Sequence, residues 1–469
     1  MKKQMKKISA FLLAGTLLGS CSKYLDINQN PNAASQAPIA GLLAHGTNAS
    51  ATSTFDISNI TSYYVQYLAA PSQGSDLDTY NPIDPSSTWT YIYDVMTDMS
   101  AMRSQAISKN LGAYEGVADI LMAYNLHLSL NIWGDLPYSE AFQGATDFTP
   151  KLDDQKSLYD TCLSLLDRGI SLLGDAANDG QLDANSDFIH GGDNAAWVKT
   201  AWLIKARLLN EITKQPDYDP AAVVDALSHS YTSTGDDAQV TLFDGPGPWT
   251  QVAINNANLN LDGWLSSNFV NGTNGITYGY FDPRLPVITD PTQFGDYRGT
   301  KNGAGRVGTG TDNEETYLTE DKWYSTSGAP LQIATYAEAK FMESEAQFRA
   351  GNKQEAYDAY MAGILAHMQK LQVPDTAITR YTTLPAVAVG KDNLTLTLIM
   401  KEKYIACFLL PVSWDDMRRF DYAYKDFTMP TGANLQTFIR RVDYPSVEIS
   451  TNGTNVPNVA LTDHLWWDK

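Results

Sequence analysis

Apolar side chains recur at helical spacing in several stretches of the chain. Tyr114, Val117, Ala118, Leu121, Asn125 and Leu128 fall three or four residues apart and share one helix face. Leu158, Cys162, Leu165, Leu166 and Leu173 repeat the pattern behind Asp153 and Asp154, either of which can cap a first turn. Trp197, Ala201, Ile204 and Leu208 mark a third helix. A fourth and a fifth are predicted over 336–350 and 355–371, and a sixth near 394–409. The fold class that follows is all-α dominated.

The fourth and fifth helices belong together. Ala356 and Tyr360 fit the A-x-x-x-F element of a tetratricopeptide repeat, Gly351-Asn352 supplies the turn, and Ser344 is small enough for close helix contact. Lys340, Glu343 and Gln347 stand where the first repeat helix has Trp, Leu and Tyr, so the repeat is degenerate. Further tetratricopeptide-like helix pairs would stack on it as a short solenoid.

Residues 241–330 lose this periodicity. They hold 13 of the chain's 33 glycines, with Trp249, Trp264, Tyr278, Tyr280, Tyr297, Trp323 and Tyr324 set among Asn, Asp and Gly. A long irregular, loop-rich insertion is predicted, of the kind that carries function. Sugar rings stack on flat aromatic faces while amides and carboxylates bind their hydroxyls. Trp249, Trp264, Tyr280, Trp323 and Tyr324 are therefore the expected ligand contacts. Trp89 joins them, because Trp89, Tyr91 and Tyr93 alternate and could bury one face only. Trp133, Trp197, Trp202 and Trp414 sit in helical patterns and are expected in the core.

The first twenty residues stand apart. Lys2, Lys3, Lys6 and Lys7 precede a short, mostly apolar run ending in Leu18-Gly19-Ser20-Cys21, which resembles a bacterial lipobox. Residues 1–20 are expected to be a lipoprotein signal peptide, Cys21 the acylated anchor, 21–36 the anchor and tether, and 37–469 the body. More than one acyl chain is what stable anchoring needs. Without residues 1–20 the chain has 29 basic against 53 acidic side chains, a net charge of −24. That balance argues against nucleic acid, which needs a basic face. Cys162 and Cys407 lie in apolar helical patterns and are expected as buried thiols.

Chemistry-bearing motifs are sparse. There is no zinc-like CxxC or HExxH spacing, no GxSxG and no phosphate-binding loop. Asp183, Asn185 and Asp187 resemble the start of a calcium loop, but Phe188 and Asn194 replace its glycine and its closing glutamate. The acidic run Asp312-Asn313-Glu314-Glu315 is expected as a solvated loop. No metal or cofactor is indicated, although a structural calcium remains possible. Arg418-Arg419 beside Asp415-Asp416 reads as a structural ion-pair cluster.

Several segments, in order, resemble the SusD/RagB family of outer-membrane nutrient-binding lipoproteins. They include Asp26-Ile27-Asn28-Gln29-Asn30-Pro31-Asn32, Trp133-Gly134-Asp135-Leu136-Pro137-Tyr138-Ser139-Glu140-Ala141, and Asp187–Asp193 leading into the Trp197 helix. Tyr336-Ala337-Glu338, Ser344-Glu345-Ala346, Lys401-Glu402-Lys403-Tyr404 and Trp414–Arg419 continue the match. Arg440-Arg441, Tyr444-Pro445 and Glu448 close it. The resemblance implies a SusD-like helical body with an irregular ligand face. It also implies a place on the outer membrane and a SusC-like TonB-dependent barrel transporter as partner. Its ligands are mostly glycans, with peptides in the RagB-like branch. On this reading the chain is a binder and not an enzyme. A glycan-degrading enzyme and a repeat-based interaction scaffold are the alternatives.

Overall fold

The computed structural model describes residues 37–144, 147–257, 262–308 and 314–469. Cys21, the signal and the tether lie outside the described residues, as do Asp312 and Asn313. The described chain is helical, with strands of two to four residues in three antiparallel pairs.

The first helix, α1 (Ile39–Tyr64), is hidden from the apolar pattern. Its buried face is built from Thr47, Ser50, Ser53, Thr54, Ser58, Thr61 and Ser62 alongside Leu42, Leu43 and Ile57. The hydroxyls of Thr47, Ser50 and Thr54 donate to the carbonyls of Leu43, Gly46 and Ser50 at 2.9, 2.7 and 2.9 Å. Bonding back one turn satisfies each hydroxyl locally, and Ser50 and Thr54 also meet Asn125 and Tyr124, at 2.8 and 2.6 Å.

After β1 (Leu68–Ala69) come α2 (Ser86–Lys109) and α3 (Gly112–Trp133), both packed on α1. On α2, Trp89 and Tyr93 stand one turn apart and stack at 4.7 Å. Their alternation with Tyr91 therefore belongs to a helix face and not to a strand.

The strands β2 (Leu136–Pro137) and β3 (Leu152–Asp153) pair before α4 (Gln155–Leu173), whose first turn is capped by Asp154. Helices α3 and α4 cross at Gly116 and Gly169. A Cβ at Gly169 would lie 3.0 Å from the Gly116 carbonyl oxygen and 2.7 Å from Ile120 Cγ1. Only glycine permits that approach. Next come α5 (Asn194–Glu211), capped by Asp193, α6 (Pro220–Ser228), with proline in its first turn, and β4 (Ala238–Val240).

The 241–330 stretch is more ordered than its glycines predict. It contains α7 (Pro248–Ala257), β5 (Trp264–Leu265), α8 (Ser267–Asn274) and α9 (Leu285–Ile288). Strand β5 pairs with β1, and bridges join Trp264 to Tyr317, Ser266 to Thr300 and Thr289 to Leu318. Helices of ten, eight and four residues present too few turns for a period to emerge.

Strand β6 (Leu331–Ala334) pairs with β4 and leads into α10 (Tyr336–Ala350) and α11 (Lys353–Lys370). This is the pair expected as a degenerate repeat. Gly351, at φ +84°, makes the turn, and Ser344 Oγ donates to the Ala356 carbonyl at 2.7 Å. Helices α12 (Asp375–Thr382), α13 (Leu396–Ala406), α14 (Val412–Arg419) and α15 (Ser446–Asn452) complete the body.

Arg418 and Arg419 are buried and fully employed. Arg419 holds both oxygens of Glu345 on α10 and reaches Asp416 at 2.6 Å. Arg418 donates to Asp415 and to the carbonyls of Asn131 and Arg440, and lies 3.8 Å from the centroid of the Trp414 ring. Cys162 and Cys407 are buried free thiols. Among the described residues no helix is long and apolar enough to cross a membrane.

Candidate functional site

The six aromatic residues expected to meet a ligand are not gathered into one surface. Trp249, Trp264, Tyr324 and Trp89 are each at most 6 % exposed. Their faces are covered by protein: Trp249 by Phe55, Trp264 by Tyr317 and the Arg306 guanidinium, and Trp89 by Tyr93 and Trp133. Tyr324 packs on Phe408, and its hydroxyl meets His367 Nε2 at 3.1 Å. Rings this buried present no open face to a sugar, so burial corrects the expectation for these four. Trp249 and Tyr324 share a cavity of about 10 Å³, room for roughly one water at most. Tyr280 and Trp323 remain half-buried, and no ring contact joins them. Tyr280 packs against Tyr278 and Tyr381, whereas Trp323 packs on Tyr324 beneath the Lys370 ammonium.

What the structure does assemble is a polar cleft of about 280 Å³, near the low end of the roughly 300–1,000 Å³ usual for ligand pockets. One wall is α8, through Ser267, Asn268 and Asn271, followed by Thr277. The facing wall is the loop Asp426, Thr428, Met429 and Pro430. Lys301, Asn302 and Gln66 complete the lining.

The floor of the cleft is tightly tied. Ser266 Oγ donates to Asn302 at 2.6 Å, and Asn302 donates to Asp78 at 2.6 Å and to the Leu68 carbonyl at 2.9 Å. The backbone amides of Ala70 and Gly303 donate to the other Asp78 oxygen. Burial raises the Asp78 carboxyl to about 6, against the lowering effect of the amides of Gly303 and Ala70 and of Asn302. Gln66 crosses to the far wall, donating to the Thr428 carbonyl at 2.7 Å.

The lining above that floor is left unused. The side chains of Ser267, Asn271, Lys301, Asp426 and Thr428 make no hydrogen bond or ion pair with the described residues. Gln66 and Asp426 both hold left-handed backbone, at φ 56° and 61°. Such strain in non-glycine residues gathers where a side chain has to be aimed for use.

An exposed apolar shelf adjoins the cleft. Ile276, Phe281 and Phe294 are 44–71 % exposed. The Phe281 ring lies 5.9 Å from Tyr297, and the Arg298 guanidinium lies 4.6 Å over Phe294. Asn274 Nδ2 donates to the Tyr297 carbonyl at 3.0 Å. Ser267, Asn271 and Asn274 share one face of α8, so that face runs from the cleft towards the shelf. Sequence reasoning favoured Trp and Tyr and missed these phenylalanines. It also missed the asparagines of α8, whose signal is an i, i+4, i+7 polar face on a very short helix.

Beneath the segment 275–284 lies a buried charge cluster. Arg284 meets Asp282 at 2.6 Å and Glu402 at 2.5 Å, and Lys401 meets Glu402 at 2.7 Å. Burial alone would raise the Asp282 carboxyl, but the Arg284 and Lys401 charges outweigh it and hold it at about 2. The charges here are mutually satisfied.

The calcium-like stretch is a structural knot. Asp187 accepts from the amides of Ile189, His190 and Gly192 and from Trp197 Nε1. Among the described residues no group of histidine, cysteine and acidic side chains is placed to hold a metal. A second cavity, of about 400 Å³, lies between Pro82–Asp84 and 443–459, lined mainly by Ile83, Tyr444, Ile449, Val456 and Val459.

A family model described as SusD-like, starch-binding and associating with the outer membrane, matches residues 31–445. No curated protein matches. Solved structures do, at identities that speak to fold alone. A SusD/RagB family protein from Bacteroides thetaiotaomicron VPI-5482 superposes with a TM-score of 0.74 at 22 % identity, covering 92 % of this chain and 99 % of its own. A chitin-binding protein gives 0.76 at 20 % identity, over 92 % and 100 %. A chitin-binding SusD homolog from Flavobacterium johnsoniae gives 0.75 at 18 % identity, over 91 % and 99 %. With the helical body, its repeat pair and a model match over most of the sequence, the chain belongs to the SusD-like family.

Proposed function

We propose that this protein is a lipid-anchored glycan-binding subunit of the outer membrane, using the cleft beside α8 to capture an oligosaccharide. The observation that carries the reading is the cleft's set of unengaged amide, hydroxyl, ammonium and carboxylate groups above a rigid floor. Neutral amides and hydroxyls suit the many weak donors and acceptors of a sugar. The Ile276, Phe281, Phe294 and Tyr297 shelf offers apolar faces for further rings of the same ligand. Chitin-binding neighbours make N-acetylglucosamine oligomers the first ligands to try.

On this reading the protein performs no chemistry and uses no cofactor. Cys21 is its acylated N-terminus, and residues 22–36 are a tether that lets the body swing. A SusC-like TonB-dependent barrel receives the ligand, because a protein anchored by lipid has no route inward of its own. The helical repeat face would meet the barrel rim, leaving the cleft turned to its interior.

The test is calorimetric titration of the mature protein against chitohexaose, maltohexaose and a peptide mixture, repeated with Asn271→Ala and Asp426→Ala. Saturable binding of an oligosaccharide that either variant weakens supports the reading. Binding of peptides alone, or release of sugar products, overturns it. Mass spectrometry of Cys21 and mild-detergent co-purification test the anchor and the barrel separately.

A further inference from the structure

The Lys401-Glu402-Lys403-Tyr404 segment of α13 lies under the cleft. Tyr404 and Lys401 stand one turn apart and so share a face. Tyr404 donates through its hydroxyl to the carbonyls of Val65 and Gln66 at 2.9 and 3.1 Å, fixing the backbone from which Gln66 reaches across. Lys401 is buried, with its ammonium 5.1 Å from the Tyr278 ring centroid and 5.2 Å from that of Tyr280. Glu402 and the Tyr381 hydroxyl accept its hydrogen bonds at 2.7 and 2.8 Å.

A second lysine reaches Tyr278 from the opposite wall. Lys425 directly precedes Asp426 in the facing loop, and its ammonium lies 5.5 Å from the Tyr278 centroid. It also donates to the carbonyl of Thr277 at 2.7 Å. Both ammonium groups are within the roughly 6 Å over which a cation is attracted to an aromatic face. The Tyr278 hydroxyl makes no hydrogen bond with the described residues, so the contribution of this residue is its ring. Burial accordingly pushes its phenol up.

We infer that Tyr278 is a positioning residue: bracketed by Lys401 and Lys425, its ring joins the α8 wall to the 426–430 wall and sets the width of the cleft. The role rests on the reading of this cleft as the ligand site. Asn271 and Asp426 lie on opposite walls, and a ligand bridging them needs their separation fixed beforehand. The two lysines do this without occupying the side chains of Ser267, Asn271, Lys301, Asp426 and Thr428.

The experiment is hydrogen exchange, read by mass spectrometry on the mature protein without ligand, for Tyr278→Leu, Tyr278→Phe and Lys425→Met. Tyr278→Leu is expected to speed exchange over both 275–281 and 424–430, on the order of tenfold, through local opening with the melting temperature nearly unchanged. Tyr278→Phe keeps the ring and should behave as the parent. Lys425→Met should loosen the same two segments to a lesser degree. Unchanged exchange over 424–430 in Tyr278→Leu overturns the bracket, as does a Phe variant as loose as the Leu variant. Titration with chitohexaose and maltohexaose separates the two ideas. If Asn271→Ala and Asp426→Ala leave binding intact while Tyr278→Leu loosens both walls, the site reading fails and the bracket stands. If those variants weaken binding and Tyr278→Leu changes nothing, the bracket alone fails.

Discussion

Two groups of polar residues differ in how completely they are used. Around Arg419, every charge has a partner: Glu345 on α10, Asp416 on α14 and Lys403 close a buried network that joins three helices, and Arg349 bonds Glu345 from its exposed edge. Burial would raise Glu345, but Arg419, Arg349 and Lys403 hold it far below the usual carboxylate range. In the cleft, Ser267, Asn271, Lys301, Asp426 and Thr428 are engaged by nothing in the described chain. The first group ties helices together, and the second is the set on which the proposed ligand site draws. The presence of charge alone does not distinguish them, since each group contains an aspartate and a lysine.

The comparison can be broken first at the network. Glu345→Ala leaves Arg419 buried without its bidentate partner and should cost about 3–5 kcal/mol in urea unfolding. A loss under about 1 kcal/mol would mean that the network does not hold the helices together.

A pH profile is the next largest effect. Burial raises the Asp78 carboxyl from its ordinary 3.8 to about 6, so the folded state binds its proton more tightly than the unfolded state does. Its contribution to stability is therefore fully present below about 3.8 and is lost as pH rises through about 6. The shift corresponds to at most roughly 3 kcal/mol at 1.36 kcal/mol per unit. Asp78→Asn should flatten that part of the stability profile between pH 4 and 6. An unchanged slope would show that Asp78 is not the titrating group.

In the cleft the expectation reverses. Asn271→Ala should leave stability within about 0.5 kcal/mol of the parent, and Asp426→Ala, at a left-handed position, within about 1–2 kcal/mol. They should nevertheless weaken oligosaccharide binding by roughly two- to tenfold each, the range of a single hydrogen bond. Destabilisation by several kcal/mol would place these residues with the network instead. The smallest effect is expected at Trp323, which touches neither cleft nor shelf: Trp323→Leu should leave affinity unchanged in the same titration.

Much of the scaffold was legible in the sequence. The helices around Leu121, Leu165, Trp197, Tyr336 and Tyr360 announce themselves because aliphatic and aromatic side chains recur on one face. Asp154, one of the two cap candidates ahead of Leu158, caps its helix. Helix α1 was not legible, because Thr47, Ser50 and Thr54 bury hydroxyls that bond within the helix and leave no apolar stripe. The site was hardly legible at all. Tryptophans among glycines looked exposed, yet Trp249 and Trp264 pack inward, because bridges such as Trp264 to Tyr317 fold the glycine-rich chain back over them. The cleft draws on positions as distant as Gln66, Asn271, Lys301 and Asp426. Only the folded chain brings them together, and an unpartnered side chain leaves no mark on a one-dimensional pattern.

The most direct measurement is a crystal structure of the mature protein with the tightest-binding oligosaccharide of the titration panel. The account predicts sugar density between α8 and the 426–430 loop, with Asn271 or Asp426 within hydrogen-bonding distance and further rings directed towards Phe281 and Phe294. Density in the Pro82–Asp84 and 443–459 cavity, or against Trp323, with the cleft empty, would contradict it.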